Sequence, residues 1–199
     1  MIDNKCKKCR RVGEKLFLKG EKCFTPKCPF SRKPYPPGLS PKSKFKKGAR
    51  RSSLSEYAAE LRESQKIKFS YGIRRKQFDN YLKETAKKTG SGDAKTHLFE
   101  LLESRLDNIV FRLGLAESRS IAKQIVTHGH IMVNGRRVNV PSYRIKTGDK
   151  ISIRPQSLGK GIFKDLGIKM KKYTPPVWAQ FDKIKNEGVI KGAPPVLNV

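Results

Sequence analysis

Nowhere in its 199 residues does the sequence hold an apolar run approaching the length of about 18 that a membrane-spanning helix needs. Acidic residues are scarce too: 17 Asp and Glu stand against 45 Lys and Arg, a formal net charge of +28. Self-repulsion of that size disfavours a compact isolated state unless a polyanion neutralises it. Because the basic residues spread over the whole length, the expected polyanion is nucleic acid rather than a membrane surface. The opening residues from Met1 to Cys9 lack the apolar middle of a secretory signal, so a reducing cytoplasm is the expected setting. Histidine occurs only at positions 97, 128 and 130, and no group of carboxylates shows a recognisable catalytic spacing. An enzyme would be short of general acids and bases. With 36% hydrophobic and 31% charged residues, two or three small units fit better than one large core.

Cysteine is absent after position 28. Cys6, Cys9, Cys23 and Cys28 form C-x2-C and C-x4-C pairs separated by thirteen residues. Short turns of that kind present two thiolates each to one tetrahedral ion, so the four are expected to bind a single zinc. Lys5, Lys7, Lys8, Arg10, Arg11 and Lys22 would offset the thiolate charge. Four sulfur ligands leave no open coordination position, which makes the expected zinc structural rather than catalytic. A redox dithiol or a site without metal is the alternative. From Pro29 to Ser52 the chain is dense in Pro, Gly, Ser and cations, with little to bury, and reads as an extended loop. Residues 1–50 carry sixteen Lys and Arg against three acidic residues. Lys42, Lys44, Lys46, Lys47, Arg50 and Arg51 are candidates for phosphate contacts, with Tyr35 and Phe45 placed to stack on unpaired bases. A disordered basic arm is the plainer reading of the same composition.

Ser53 and Glu56 make a capping box before Leu54, Tyr57, Ala58 and Leu61, and Ile73, Phe78, Tyr81, Leu82 and Ala86 mark a second helix. Arg74, Arg75 and Lys76 stand near its start, where the helix dipole prefers anions, so a phosphate there would relieve a local conflict. The TGSGD segment, 89–93, reads as a linker. After it, Leu98, Leu101, Leu102, Leu106, Ile109, Val110 and Leu113 form an apolar stripe ending at Gly114. Ser118 is the expected N-cap of a short amphipathic helix with Ile121, Ala122, Ile125 and Val126 inward and Gly129 as its left-handed stop. Ile131 and Val133 alternate as a strand, Asn134-Gly135 is a hairpin signal, and Arg136 to Val140 should return with Val138 and Val140 inward. Ile151 and Ile153 supply a third strand. The helix and hairpin tip then present Arg119, Lys123, Gln124, His128, Arg136 and Arg137 outward, with Ser118, His130, Asn134 and Arg105 as further candidate RNA contacts. A solvated helix face is the bland alternative.

The stretch LESRLDNIVFRLGLAESRSIAKQIVTHGHIMVNGRRVNVPSYRIKTGDKISI resembles the RNA-binding module of the bacterial small-subunit ribosomal protein four family, and the flanking segments match as well. With the cysteines, the chain looks like a zinc-binding variant of that family. The implied fold is α+β: an N-terminal zinc knuckle and basic loop over 1–45, a small helical domain over 46–93 completed by 177–199, and an inserted module over 94–176 with two helices on a small antiparallel sheet. Val177, Trp178 and Phe181 are large enough to anchor the tail. The resemblance implies a structural, non-enzymatic constituent of the small subunit that binds its rRNA and nucleates assembly of the subunit body. It further implies neighbouring small-subunit proteins, protein five among them, as partners. It also implies a position, through Lys42 to Arg51, near the path by which mRNA enters, an influence on decoding accuracy, and repression of its own message. An RNA-modifying enzyme or tRNA-handling factor carrying the same module is the alternative, and it lacks a visible catalytic unit. A zinc-containing DNA-binding regulator would want a symmetric dimer seam, which the helices do not offer.

Overall fold

The computed structural model describes residues 5–38, 55–88, 93–164, 166–167, 170, 173–182 and 186–192. They fall into two units, Met1–Arg74 and Arg75–Val199. Among the described residues no helix is long and apolar enough to cross a membrane.

In the first unit a short helix α1, Lys5–Val12, buries Cys9 and Val12 and ends at Gly13, whose φ of +87° lets its N–H reach back 2.9 Å to the Cys9 carbonyl. A 3-10 turn, Gly20–Cys23, and the short helix α2, Pro29–Arg32, follow. The long helix α3, Glu56–Ser70, is capped by Ser55, whose hydroxyl accepts from the Ala58 N–H at 3.3 Å. Ser53, the expected cap, lies outside the described residues. Cys9, Val12 and Leu16 make a small apolar cluster against Leu18, Phe30 and Phe69. Helix α3 itself buries no residue, and Tyr57 on it is largely exposed. Tyr71 and Ile73, just beyond α3, are also buried in this unit.

The second unit holds the main core. Helix α4, Arg75–Lys88, buries Phe78, Tyr81 and Thr85; α5, Ala94–Glu103, starts at Asp93, whose carboxylate accepts from the Lys95 N–H. Helix α6, Leu106–Arg112, and α7, Arg119–Thr127, then pack over a five-stranded antiparallel sheet in the order β2-β1-β3-β5-β4. The strands are β1 Ile131–Val133, β2 Arg136–Arg137, β3 Lys150–Ile153, β4 Ala179–Asp182 and β5 Glu187–Ile190. Leu106, Ile109, Val110, Leu113, Ile125, Ile131 and Ile151 are essentially inaccessible and fill the space between helices and sheet. The β1–β2 turn has Asn134 and Gly135 both at positive φ, +49° and +77°, as a tight two-residue hairpin requires.

Three expectations are corrected here. The return strand stops at Arg137, leaving Val138 half-buried and Val140 half-exposed, because the chain turns away to serve α6: the Pro141 and Tyr143 carbonyls accept from the Asp107 and Leu106 N–H groups at 3.2 and 2.9 Å. These donors have no partner inside the helix. The segment 177–199 does not complete a separate helical domain in its described part. Instead β5 pairs with β3, Ile151 facing Gly188, while Trp178, Ala179 and Ile190 join the main core and Val177 is fully exposed. Gly188 makes this possible, since a Cβ there would meet the Leu113 side chain at 2.6 Å. Lastly, the described part of 46–93 is divided between the two units. Helix α3 belongs to the first unit, whereas α4 packs on α5 and is tied to the sheet-bearing unit by Arg105 donating to the Tyr81 hydroxyl at 2.8 Å and by a two-pronged Arg144–Glu84 pair.

Candidate nucleic-acid interface

Helix α7 is built to show one face. Ser118 caps it, accepting from the Ile121 N–H at 3.4 Å, while Ala122, Ile125 and Val126 are fully buried. Lys123, Gln124 and His128 are consequently exposed on the other side. Gly129 ends the helix at φ +69°, and the Arg137 side chain lies across it so closely that a Cβ on Gly129 would sit 2.1 Å from Arg137 Nε. Arg137 Nη2 also points at the His128 carbonyl, 3.5 Å away. A cation is thereby held over the negative end of the helix, and Arg136 beside it is exposed at the hairpin tip. Lys123, Gln124, His128, Arg136 and Arg137 are thus the expected residues that the structure keeps at the surface of this helix and hairpin.

Arg119 differs from them. Its Nε donates to Asn108 Oδ1 at 2.8 Å and its guanidinium lies 4.7 Å from the centre of the Phe111 ring, so it is half-buried rather than a free arm. Asn108 is itself inaccessible and donates to Glu103 Oε2 at 2.8 Å; Arg112 closes on both oxygens of the same carboxylate at 2.8 and 3.0 Å. One buried acid therefore anchors two arginines, Arg112 directly and Arg119 through the amide. Sequence reading missed Glu103 and Arg112 because both sit among the apolar residues of the Leu98–Leu113 stripe, and their spacing of nine gives no local signal.

Three expected contacts, His130, Ser118 and Arg105, are buried, and a fourth, Asn134, is exposed with its amide engaged in a turn. His130 is buried, its Nδ1 within 3.0 Å of Ser157 Oγ and its ring edge-on to Phe163. Burial holds it below the usual histidine range, with Lys160, His128, Arg137 and Arg154 acting the same way. It is a neutral core residue. Ser118 is buried and its hydroxyl is occupied by capping. Asn134 is exposed, but its amide bridges two turns, donating to Asp149 Oδ1 and accepting from the Lys150 N–H, both at 2.9 Å. Arg105 is 4% exposed and pairs with Asp107 at 2.6 Å as well as with Tyr81.

Elsewhere, Arg74 closes the first unit and Arg75 and Lys76 open α4, all exposed. Arg75 lies 3.7 Å from Asp79 one turn on, which partly answers the unfavourable charge at that helix start. Tyr35 is half-buried with the Arg10 guanidinium 4.7 Å from its ring centre, while Arg10 Nε donates to the Lys33 and Tyr35 carbonyls; one face of that ring is taken by the protein. Lys42, Lys44, Lys46, Lys47, Arg50, Arg51 and Phe45 lie outside the described residues.

The four thiols converge on one pocket in the first unit, lined also by Lys5, Phe17, Leu18, Lys19 and Phe30. All are unbridged; Cys9, Cys23 and Cys28 are buried and Cys6 is half-buried. The Lys19 N–H points at Cys23 Sγ, 3.4 Å away, and burial raises the Cys9 thiol above its ordinary range. Four sulfurs on one pocket are a donor set suited to a thiolate-bound ion such as zinc. Yet among the described residues no three Cys, His, Asp or Glu side chains stand in a geometry that holds a metal ion.

Two family models match successive parts of the chain. Residues 1–103 match the family described as ribosomal protein S4/S9 N-terminal domain, and residues 104–151 match the S4 domain. Among relatives, the small ribosomal subunit protein uS4 of Syntrophomonas wolfei is 44% identical over 193 residues, covering 96% of this chain and 88% of its own length. The uS4 proteins of Halothermothrix orenii and Caldicellulosiruptor bescii are 45% and 48% identical, covering 95% and 89% of this chain and 86% and 81% of their own lengths.

Proposed function

The chain belongs to the small ribosomal subunit protein uS4 family, and from that premise we propose that it is a structural, non-enzymatic constituent of the small ribosomal subunit that binds rRNA through α7 and the β1–β2 hairpin. The observation that carries this reading is the division of labour on that surface. Arg112 and Arg119 are locked to Glu103 and Asn108, while Lys123 on the helix and Arg136 and Arg137 on the hairpin stand outside, the helix's other face being buried. A rigid scaffold with cations on its rim suits an irregular RNA backbone, which is recognised by shape and phosphate position. Titrating the purified chain with small-subunit rRNA and an unrelated RNA of equal length tests the reading: the former should bind more tightly at the same salt.

The finer parts of the proposal rest on family membership and on the cysteines. Cys6, Cys9, Cys23 and Cys28 hold one structural zinc; when bound it would cross-link α1, the 3-10 turn and the start of α2, a unit with few apolar contacts of its own. The chain works in the ribosome of the cytoplasm, alongside neighbouring small-subunit proteins such as protein five. It nucleates assembly of the subunit body, and the basic loop Lys42 to Arg51 reaches toward incoming mRNA, with a bearing on decoding accuracy and on repression of its own message.

A further inference from the structure

Two phenylalanines in the first unit are spent on the surface. Phe17 and Phe24 stack with ring centres 4.8 Å apart and planes 26° from parallel, yet they are 45% and 75% exposed. The backbone imposes this. Phe17 has φ +48°, a left-handed conformation that an L residue other than Gly, Asn or Asp rarely takes, between a buried Leu16 and a half-buried Leu18. Phe24 follows the 3-10 turn whose last residue, Cys23, faces inward; its N–H closes the turn on the Glu21 carbonyl at 3.0 Å. Neither belongs to the apolar cluster of that unit, although Phe17 also lines the thiol pocket on its inner side. Around the pair, Lys15, Lys19, Lys22 and Lys27 are all exposed, against Glu14 and Glu21 as the nearby acids in sequence.

We propose that Phe17 and Phe24 form a stacking platform for an unpaired rRNA base, with the flanking lysines holding the phosphates on either side. This rests on the rRNA-binding reading above and names a second contact, in the other unit, that uses different chemistry. A flat ring offers a π-face to any base, and single-stranded sites combine such faces with cations along the backbone. An acidic protein partner would answer the lysines but has no need of a stacked, planar pair. The charge points to a polyanion and the planarity to its bases.

The test uses the full chain with small-subunit rRNA. Phe24→Leu keeps the apolar bulk at a site already 75% exposed, so folding is not at risk, but it removes the planar ring. Affinity should fall on the order of tenfold, within the range expected for a single stacked base. Phe24→Tyr should bind like the parent. In Phe24→Trp, indole emission above the background of Trp178, the one native tryptophan, should be quenched on adding the rRNA, as a stacked base does. Unchanged affinity in Phe24→Leu with no quench in Phe24→Trp, while the parent binds, overturns the platform and leaves the α7 surface standing. A parent chain that fails to prefer small-subunit rRNA overturns both.

Discussion

Glu103 is the residue whose loss should be felt most widely. It is inaccessible, and its two oxygens hold Arg112 and Asn108, through which Arg119 is set. Glu103 is buried while Arg112 keeps partial access to water, so removing the acid should cost about 1–3 kcal/mol, chiefly from the polar partners it leaves unsatisfied. Glu103→Ala should therefore lower the urea midpoint by a corresponding amount, whereas Glu100→Ala one turn away, on a half-exposed carboxylate, should change it little. A small effect of Glu103→Ala would mean that the network is ornamental. His130 makes a prediction about pH. Its folded pKa is lowered by burial and by the surrounding cations, so below its ordinary range the unfolded chain binds more protons than the folded one. Stability should be complete above about pH 6.5, fall as pH drops from there toward the depressed folded value, and level off beneath it. In His130→Gln this component should vanish, leaving a shallower decline between pH 7.5 and 5 in parallel urea titrations.

At the scale of elements, two glycines set where helices and strands can go. Gly129→Ala places a Cβ against Arg137 at a backbone with φ +69°, which should destabilise by roughly 1–2 kcal/mol from the left-handed conformation alone. Gly188→Ala forces β5 away from Leu113 and should cost about 1–3 kcal/mol as overpacking does. Thermal melts of the two variants give both values. Helix α7, the Asn-Gly turn and strands β1 and β3 were legible in the sequence because each is specified locally, by a cap, a period or a positive-φ pair. Strands β4 and β5 were not, since Gly188, the residue that admits β5 to the sheet, has no side chain to make a pattern. Among the site residues, the exposed ones were legible as a charge pattern. The buried ones were misread because their partners lie far along the chain: Arg105 meets Tyr81, His130 meets Ser157, and neither contact leaves a trace in the spacing nearby.

For the molecule as a whole, a net charge of +28 and a cation-rimmed surface require that rRNA affinity fall with salt. Each displaced counterion adds to the slope of log K against log salt, so a magnitude of several units is expected. The zinc proposal is checked at the same scale. Metal analysis of protein purified without added zinc should give about one equivalent, and chelation should unfold the first unit while leaving the second folded, as read by hydrogen exchange. Zinc-free protein with the first unit fully protected would contradict it.

Salt dependence alone cannot separate a placed surface from a diffuse charge; the decisive comparison is between two double reversals of equal charge. Arg119 is unsuited to this, because its guanidinium is bound to Asn108 and its reversal would report on the buried network. Lys123→Glu with Arg136→Glu changes two exposed residues on α7 and the hairpin, and exposed charge changes usually alter stability by only about 0.5 kcal/mol. Affinity for small-subunit rRNA should fall about ten- to hundredfold. Lys83→Glu with Lys87→Glu, also exposed but on α4, should cost much less at the same ionic strength, with circular dichroism confirming that both variants are folded. Equal losses from the two pairs would show that total charge alone binds the RNA and that α7 and its hairpin are not the interface.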